Sequence, residues 1–307
     1  MLNLPTRDDI PENAFTVSRS RLATWSKCQY RHYLNYTLEK RSAPNNAMQL
    51  GTMIHAVLEK YYTYWLGQPV GEMELSTLEE IIAPMMATGV TYEEQVLWMR
   101  AATVCARYPE YAGIHDEWIP MGTEIETFAP LIIEGKQIYT PDKRPVYLHA
   151  ILDLIVDQDG QMGFVDHKSG GQFWKPETAY FDNQLAFYFT VLHLLGVPVE
   201  FACINNLNTY PYKSPQPLNK LYHREFVYRS KMHIDHYLLN IHHTVRQILN
   251  LKTFTKNLDQ HCAYCPFQDI CDTELRGLDS SRMIALLGLP ESTIDFDLGL
   301  VLDEDSN

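Results

Sequence analysis

The sequence predicts an α/β fold, a small mixed β-sheet flanked by helices and preceded by a mainly helical N-terminal region. Two observations carry that prediction. Apolar residues recur at helical spacing through the first 110 residues, and beyond them the pattern changes to β-branched alternation in a β-β-β-α-β order.

In chain order, residues 1–17 read as an irregular leader holding Pro5 and Pro11. Ser18 or Ser20 can cap a helix reaching about Leu38, because Leu22, Trp25, Tyr30, Tyr33 and Leu34 follow helical spacing. Ala43-Pro44-Asn45-Asn46 supplies a turn, and a second helix over 48–66 buries Leu50, Ile54, Val57, Leu58, Tyr61 and Trp65. Helices over 76–87 and 91–107 complete a helical region spanning 18–110. A core region over 111–255 follows. Strands are expected over 124–134, 146–156 and 162–167, the last two joined by the tight turn Asp157-Gln158-Asp159-Gly160. A helix over 178–195, strands over 199–207 and 225–228, and a long helix over 230–250 finish that region. Residues 256–280 hold a cysteine cluster, and 281–307 form an acidic tail.

Composition bounds the function. With 307 residues, 46% of them apolar and 21% charged, the chain has ample material for a packed core, which excludes a disordered protein. Its richest apolar stretch, Phe187 to Ile204, is broken by His193, Gly196, Pro198 and Glu200, so no membrane span is expected. The N-terminus has no basic segment leading into an apolar run, so no signal peptide is expected and a reducing cytoplasm is the default compartment. A net charge of −13 weighs against a nucleic-acid partner. Charge is unevenly spread, however. Arg19, Arg21, Lys27, Arg31, Lys40 and Arg41 stand close together against the single Glu39, whereas Glu291 onward is purely acidic. Phosphate contacts depend on local charge, so DNA stays open as a partner.

Asp166-His167-Lys168 ends a strand just before Ser169-Gly170-Gly171. Residues i and i+2 of a strand share a face, so Asp166 and Lys168 point together. A hairpin register set by the 157–160 turn brings Asp153 close to Asp166. Two carboxylates converging with a lysine suit a hard divalent cation such as Mg2+, and the chemistry implied is metal-assisted phosphodiester hydrolysis. The same Asp-X-Lys pattern also reads as an exposed strand-end ion pair. Gln184 and Tyr188, four apart on the following helix, face one way, and His55 lies on an otherwise apolar helical side.

The ordered set Gly51-Thr-Met-Ile-His55, Ile151-Leu-Asp153, Val165-Asp166-His-Lys168-Ser-Gly170 and Gln184-Leu-Ala-Phe-Tyr188 resembles the PD-(D/E)XK nuclease superfamily, most closely its RecB-like branch with the CRISPR-associated exonucleases. Ser18-Arg-Ser20-Arg-Leu22 with Cys28-Gln-Tyr30-Arg-His-Tyr33 is similar to that branch's N-terminal motif. The resemblance implies a restriction-endonuclease-like core, with Asp153 and Asp166 as metal ligands and His55 as a third ligand or its neighbour. Lys168 would be the catalytic lysine, and Gln184 and Tyr188 would orient it or contact the phosphate backbone. Mg2+ or Mn2+ is the implied metal. An acid ahead of Asp153 is also implied, and both Glu124 and Glu126 stand as candidates. Three departures are Gln29 in place of proline, Asp166 in place of glutamate, and the inserted His167.

His261-Cys262-Ala-Tyr-Cys265-Pro266-Phe-Gln-Asp-Ile-Cys271 places three thiols at spacings that fit one tetrahedral site or cubane. The resemblance adds Cys28 as the fourth ligand of a 4Fe-4S cluster, a staple between residue 28 and residues 262–271. Zinc is the alternative, with His261 as a ligand. Cys105 and Cys203 read as core residues, and His233, His236, His242 and His243 as a helix face.

Arg19, Arg21, Lys27 and Arg31, interleaved with Trp25, Tyr30 and Tyr33, offer phosphate contacts and stacking faces suited to single-stranded nucleic acid, or else a solvated basic helix with a buried aromatic side. Gln172-Phe173-Trp174-Lys175 offers a strand-contacting loop beside the metal. Together these readings give a metal-dependent single-strand DNA exonuclease of recombination, repair or phage DNA processing, with a helicase or recombination partner. The alternatives are a structure-specific endonuclease, a non-catalytic DNA-binding scaffold and a zinc-binding regulatory module.

Overall fold

The computed structural model describes residues 3–39, 45–87 and 91–280. Lys40, Arg41, the Ala43-Pro44 half of the expected turn and the acidic tail 281–307 lie outside the described residues. The chain divides into two compact units, one of 1–22 with 43–251 and one of 23–42 with 252–307.

The larger unit is built on a mixed sheet. Its strands are β1 (Phe15–Ser18), β2 (Ile119–Pro130), β5 (Val146–Gln158), β6 (Gln161–Gly170), β7 (Phe201–Asn208) and β8 (Tyr222–Val227), with a separate small ribbon of β3 (Ile132–Ile133) and β4 (Lys136–Gln137). β2 runs antiparallel along β5. The other edge of β5 is shared: β1 pairs in parallel with Val146–His149, and β6 pairs antiparallel with Leu154–Gln158. β7 joins β6 in parallel, and β8 closes the sheet antiparallel to β7.

Helices cover both faces. α3 (Asn46–Tyr64), α4 (Leu75–Met86), α5 (Tyr92–Cys105) and α6 (Tyr108–His115) pack Leu50, Ile54, Leu58, Leu78, Leu97 and Tyr108 against Leu154, Val156, Val165 and Cys203. On the opposite core, Leu185, Phe189 and Leu192 of α8 (Asn183–Leu194) and Ile241 and Val245 of α10 (Lys231–Asn250) meet Leu148, Leu152, Phe164 and Ile204. α7 (Pro176–Tyr180) and α8 form the crossover between the parallel strands β6 and β7. The short α9 (Leu218–Leu221) precedes β8. Cys105 and Cys203 are fully buried, as core residues should be.

The β5–β6 hairpin has the expected register. Its loop is Asp159-Gly160, both at positive φ (52° and 81°), which is the primed turn that matches strand twist. The ladder runs back to Leu154 opposite Val165 and stops there. The next opposed pair is Asp153 and Asp166, and the Asp153 carboxylate accepts the His167 backbone N–H (2.7 Å) in place of a ladder bond. The strands part where the acids sit.

The smaller unit contains most of α1 (Arg19–Lys27), α2 (Gln29–Tyr36), the segment from Lys252, a 3-10 turn over Gln260–Tyr264 and α11 (Gln268–Leu275). Its core is Cys28, Tyr30, Leu34, Phe267 and Ile270. Thr255 zips the two chain segments together: its carbonyl accepts the Tyr30 N–H (3.0 Å) and its hydroxyl donates to Gln29 Oε1 (2.8 Å).

Five local expectations change. The leader contains β1, because Phe15–Ser18 finds a partner strand more than a hundred residues away. The single helix to Leu38 breaks at Cys28, whose extended backbone and sulfur cap α2 at the Arg31 N–H (3.5 Å). Helix α6 extends the helical region to His115 after Pro109, a residue suited to a first turn. The expected strand over 124–134 starts five residues early and ends at Pro130, giving way to β3 and β4. The helix over 178–195 is α7 and α8, separated at Asp182, whose carboxylate accepts the N–H groups of Gln184 and Leu185 (2.8 Å each).

Candidate functional site

Four elements of the larger unit converge at the parted strands. α3 brings His55, β2 brings Glu124, β5 brings Asp153, and β6 brings Asp166 and Lys168. His55 Nδ1 lies 3.4 Å from Asp153 Oδ2. One ligand atom from each of His55, Glu124 and Asp153 falls within 4.8 Å of the others. Glu124 lies between Thr123 and Ile125, which pair with Leu154 and Leu152 on either side of Asp153, and adopts a left-handed φ of 46°, a strained backbone for a residue with a side chain. Glu126 is engaged elsewhere, its Oε1 2.7 Å from His149 Nε2. The acid ahead of Asp153 that joins this group is Glu124.

Asp166 sits beside this set, tied to its own strand mate. Lys168 Nζ is 2.6 Å from Asp166 Oδ2 and donates to Gln184 Oε1 (3.0 Å). Gln184 Nε2 donates to Asp166 Oδ1 and to the Tyr188 hydroxyl, each at 2.9 Å. Thus α8 presents Gln184 and Tyr188 on one face, one turn apart, and the glutamine amide bridges acid and lysine. The Trp174 ring lies over Lys168, its centroid 5.6 Å from Nζ.

Burial and neighbouring charges together set the protonation states. It pushes the Asp153 carboxyl up, helped by the negative charge of Asp166. Asp166 is likewise raised by burial, against the pull of Lys168. Glu124 is pushed up to about 7, first by burial and then by Asp153. Burial lowers His55, which favours the neutral imidazole a metal requires. Burial also works against the Lys168 ammonium, but Asp166 and Asp153 outweigh it and hold the lysine charged. Clustered acids with raised values beside a fixed cation are what a divalent ion would compensate, and the donor set of one imidazole and carboxylates fits such an ion.

The smaller unit gathers four cysteines. Cys28, Cys262, Cys265 and Cys271 are all free thiols and line one cavity of about 190 Å3, with Tyr30, Leu34 and Phe267 on its apolar side. The Cys271 thiol is pushed up to about 11 by burial, with Lys256 opposing and Cys28, Glu274 and Cys265 adding to the shift. Among the described residues, no three of these sulfurs, nor two of them with His261, bring their ligand atoms within 4.8 Å of one another.

The profile of the PD-(D/E)XK nuclease superfamily matches residues 16–272. The chain belongs to that superfamily. Its mixed sheet with flanking helices is the restriction-endonuclease-like core of the PD-(D/E)XK nucleases, enzymes that use divalent metals, and the matched span takes in both the His55–Glu124–Asp153 group and the four cysteines. Among solved structures, that of SSO0001 is similar at 13% identity over 73% of this chain and 95% of its own, with a TM-score of 0.32. That of LHK-Exo in complex with dAMP is similar at 13% identity over 61% and 92%, with a TM-score of 0.28. No curated protein matches the sequence. Among the described residues no helix is long and apolar enough to cross a membrane.

The nucleic-acid contacts expected from the sequence fare unevenly. Trp25 and Tyr30 are buried, and Tyr33 stacks on Phe254 (4.6 Å), so the aromatic side of α1 and α2 is packed core rather than a stacking platform. Arg21 lies over the Phe15 ring (4.3 Å) and donates to the Thr16 carbonyl (3.0 Å), while Arg19 and Arg31 are half-buried. Lys27 and Lys175 are exposed. His233, His236, His242 and His243 form no ligand group among the described residues. Behind the site lie polar residues that the sequence motifs did not single out: Tyr62, Tyr108, Asp116, Asn205 and Arg224. Asn205-Asn206 inside an otherwise apolar strand was the visible signal; Asp116 and Arg224 offered none.

Proposed function

We propose that this nuclease is a Mg2+- or Mn2+-dependent deoxyribonuclease of the RecB-like branch, an exonuclease acting on single-stranded DNA or DNA ends in recombination, repair or phage DNA processing. A preference for single strands calls for a partner that separates duplexes, such as a helicase. The observation that carries the reading is the group His55, Glu124 and Asp153 with the Asp166–Lys168 pair beside it. Asp153, Glu124 and His55 would hold the cation, with Asp166 as a further ligand. When bound, the cation polarises a phosphate oxygen and lowers the pKa of a water. The chain supplies the rest. Lys168, held charged, neutralises negative charge as it grows on the phosphate and positions the attacking water. Gln184 fixes the lysine from one end of its amide and Asp166 and Tyr188 from the other. The single-strand preference is supported by the exposed Lys175 and by Trp174, which leads from the lysine towards solvent.

End-labelled single- and double-stranded DNA with Mn2+, each label in a separate reaction, tests this reading. Wild type should degrade the single strand, and Lys168→Ala should be slower by about 100-fold or more, the scale of losing one transition-state donor. Equal degradation by both proteins would mean a contaminant. No degradation by either would leave a DNA-binding scaffold.

The reading assigns a 4Fe-4S cluster to Cys28, Cys262, Cys265 and Cys271. The four thiols line one cavity, which supports a shared site for them, and the resemblance to the RecB-like branch puts the cluster ahead of zinc. Anaerobically purified protein should be brown with about four irons per chain, four being the number a cubane holds. Colourless protein with stoichiometric zinc would overturn the assignment.

A further inference from the structure

Behind the metal group lies a buried polar chain that the catalytic reading does not use. Arg224 of β8 and Asp116, which follows α6, form an ion pair with both side chains almost wholly buried. The Tyr62 hydroxyl donates to Asp116 Oδ2 (2.8 Å) and lies 2.6 Å from the Tyr108 hydroxyl. Arg224 Nη2 donates to both tyrosine oxygens, at 3.3 Å and 3.2 Å. Asn205 Nδ2 donates to the Tyr108 oxygen (2.8 Å) and lies 2.9 Å from His167 Nδ1. One proton arrangement satisfies all of these bonds. The Tyr62 O–H donates to Asp116, the Tyr108 O–H donates to the Tyr62 oxygen, and the two Asn205 N–H groups donate to the Tyr108 oxygen and to Nδ1 of a neutral His167.

This chain reaches the metal group by two routes. The His167 backbone N–H holds Asp153 Oδ2, and the His167 ring sits between two residues of α3. It stacks on Tyr62 at 5.7 Å and 9° and meets the His55 ring edge-on at 5.8 Å and 84°. His55 and Tyr62 are seven residues apart, two turns on one helix face. A buried ion pair contributes little net stability compared with an apolar filling, and its best-attested use is to fix register.

We propose that Tyr62, Tyr108, Asp116, His167, Asn205 and Arg224 form a positioning network that fixes the register of α3 on the sheet, and so sets His55 against Asp153. The inference rests on the reading of His55, Glu124 and Asp153 as the divalent-ion site. Tyr62→Phe and Tyr108→Phe each remove one hydroxyl and keep the ring packing. Mn2+ affinity of the full chain is measured by calorimetry for each, alone and in a His55→Ala background, with a thermal melt to show the fold. The expected result is a loss of about tenfold with His55 present, the scale for removing a residue that orients a metal ligand, and no further loss without it. Wild-type affinity in both folded tyrosine variants would overturn the inference, as would equal losses in the two backgrounds. If His55→Ala alone leaves Mn2+ affinity unchanged, it is the metal-site reading that fails.

Discussion

Glu124 combines a left-handed backbone, partial burial and a carboxylate neighbour, each of which costs free energy in the folded state. Its carboxyl is pushed up to about 7 from an ordinary value of 4.5, so the folded chain keeps a proton there that the unfolded chain releases at lower pH. Between these two values the folded state holds the extra proton, so stability falls as pH rises through them. Above about 7 the carboxylate is charged in both states and the full penalty is present. A divalent ion removes that penalty by pairing with the charge. Glu124→Gln should therefore melt higher than wild type in EDTA at alkaline pH, by on the order of 1 kcal/mol because the group is half exposed and partly screened. The same variant should lose the melting-point increase that Mn2+ gives wild type. Scanning calorimetry with EDTA and with Mn2+ checks both, and a metal-free glutamine variant that melts lower than wild type would contradict the argument.

At the scale of elements, legibility followed how locally each feature is determined. The β5–β6 register was readable because a two-residue turn fixes it, and with it the approach of Asp153 to Asp166. The facing of Gln184 and Tyr188 was readable from one helical turn. The break at Cys28 was not, because it depends on Thr255, joined to the start of α2 only by folding. Nor was β1, a four-residue strand whose partner is remote. The choice between Glu124 and Glu126 needed the irregular backbone of β2, since regular alternation puts both on one face. One strand contact is sharp enough to test. Gly163 of β6 lies against the buried Phe201 ring, and an added Cβ would fall 2.3 Å from two ring atoms. The ring is buried in the core, so making room for the methyl group disturbs its packing, and Gly163→Ala should destabilise the larger unit by about 1–3 kcal/mol. Urea unfolding measures it. A variant as stable as wild type would mean that the β6–β7 pair relaxes more freely than its packing indicates.

For the molecule as a whole, the chemistry-bearing residues were legible while the framework that holds them was not. Asp153, Asp166, Lys168 and the cysteines carry recognisable spacing, whereas Asp116 and Arg224 meet only through the fold. The smaller unit shows what such long-range closure must achieve. It joins segments from 23–42 and from 252–307, and among the described residues five buried ones make its core, one of them Cys28 itself. So small a core recovers little hydrophobic free energy against the entropy of joining two distant segments. A four-cysteine cluster bridging Cys28 to Cys262, Cys265 and Cys271 would restrict the unfolded ensemble as a cross-link does, a contribution of about 2–5 kcal/mol in small units. The larger unit has two cores of its own that contain none of these cysteines. Cys28→Ala should then lose amide protection in α2 and α11 while β5, β6 and β7 keep theirs in hydrogen exchange. Equal loss of protection in the strands would mean that the cysteines stabilise the whole chain as one cooperative body, and unchanged protection in α2 and α11 would mean that no staple exists there.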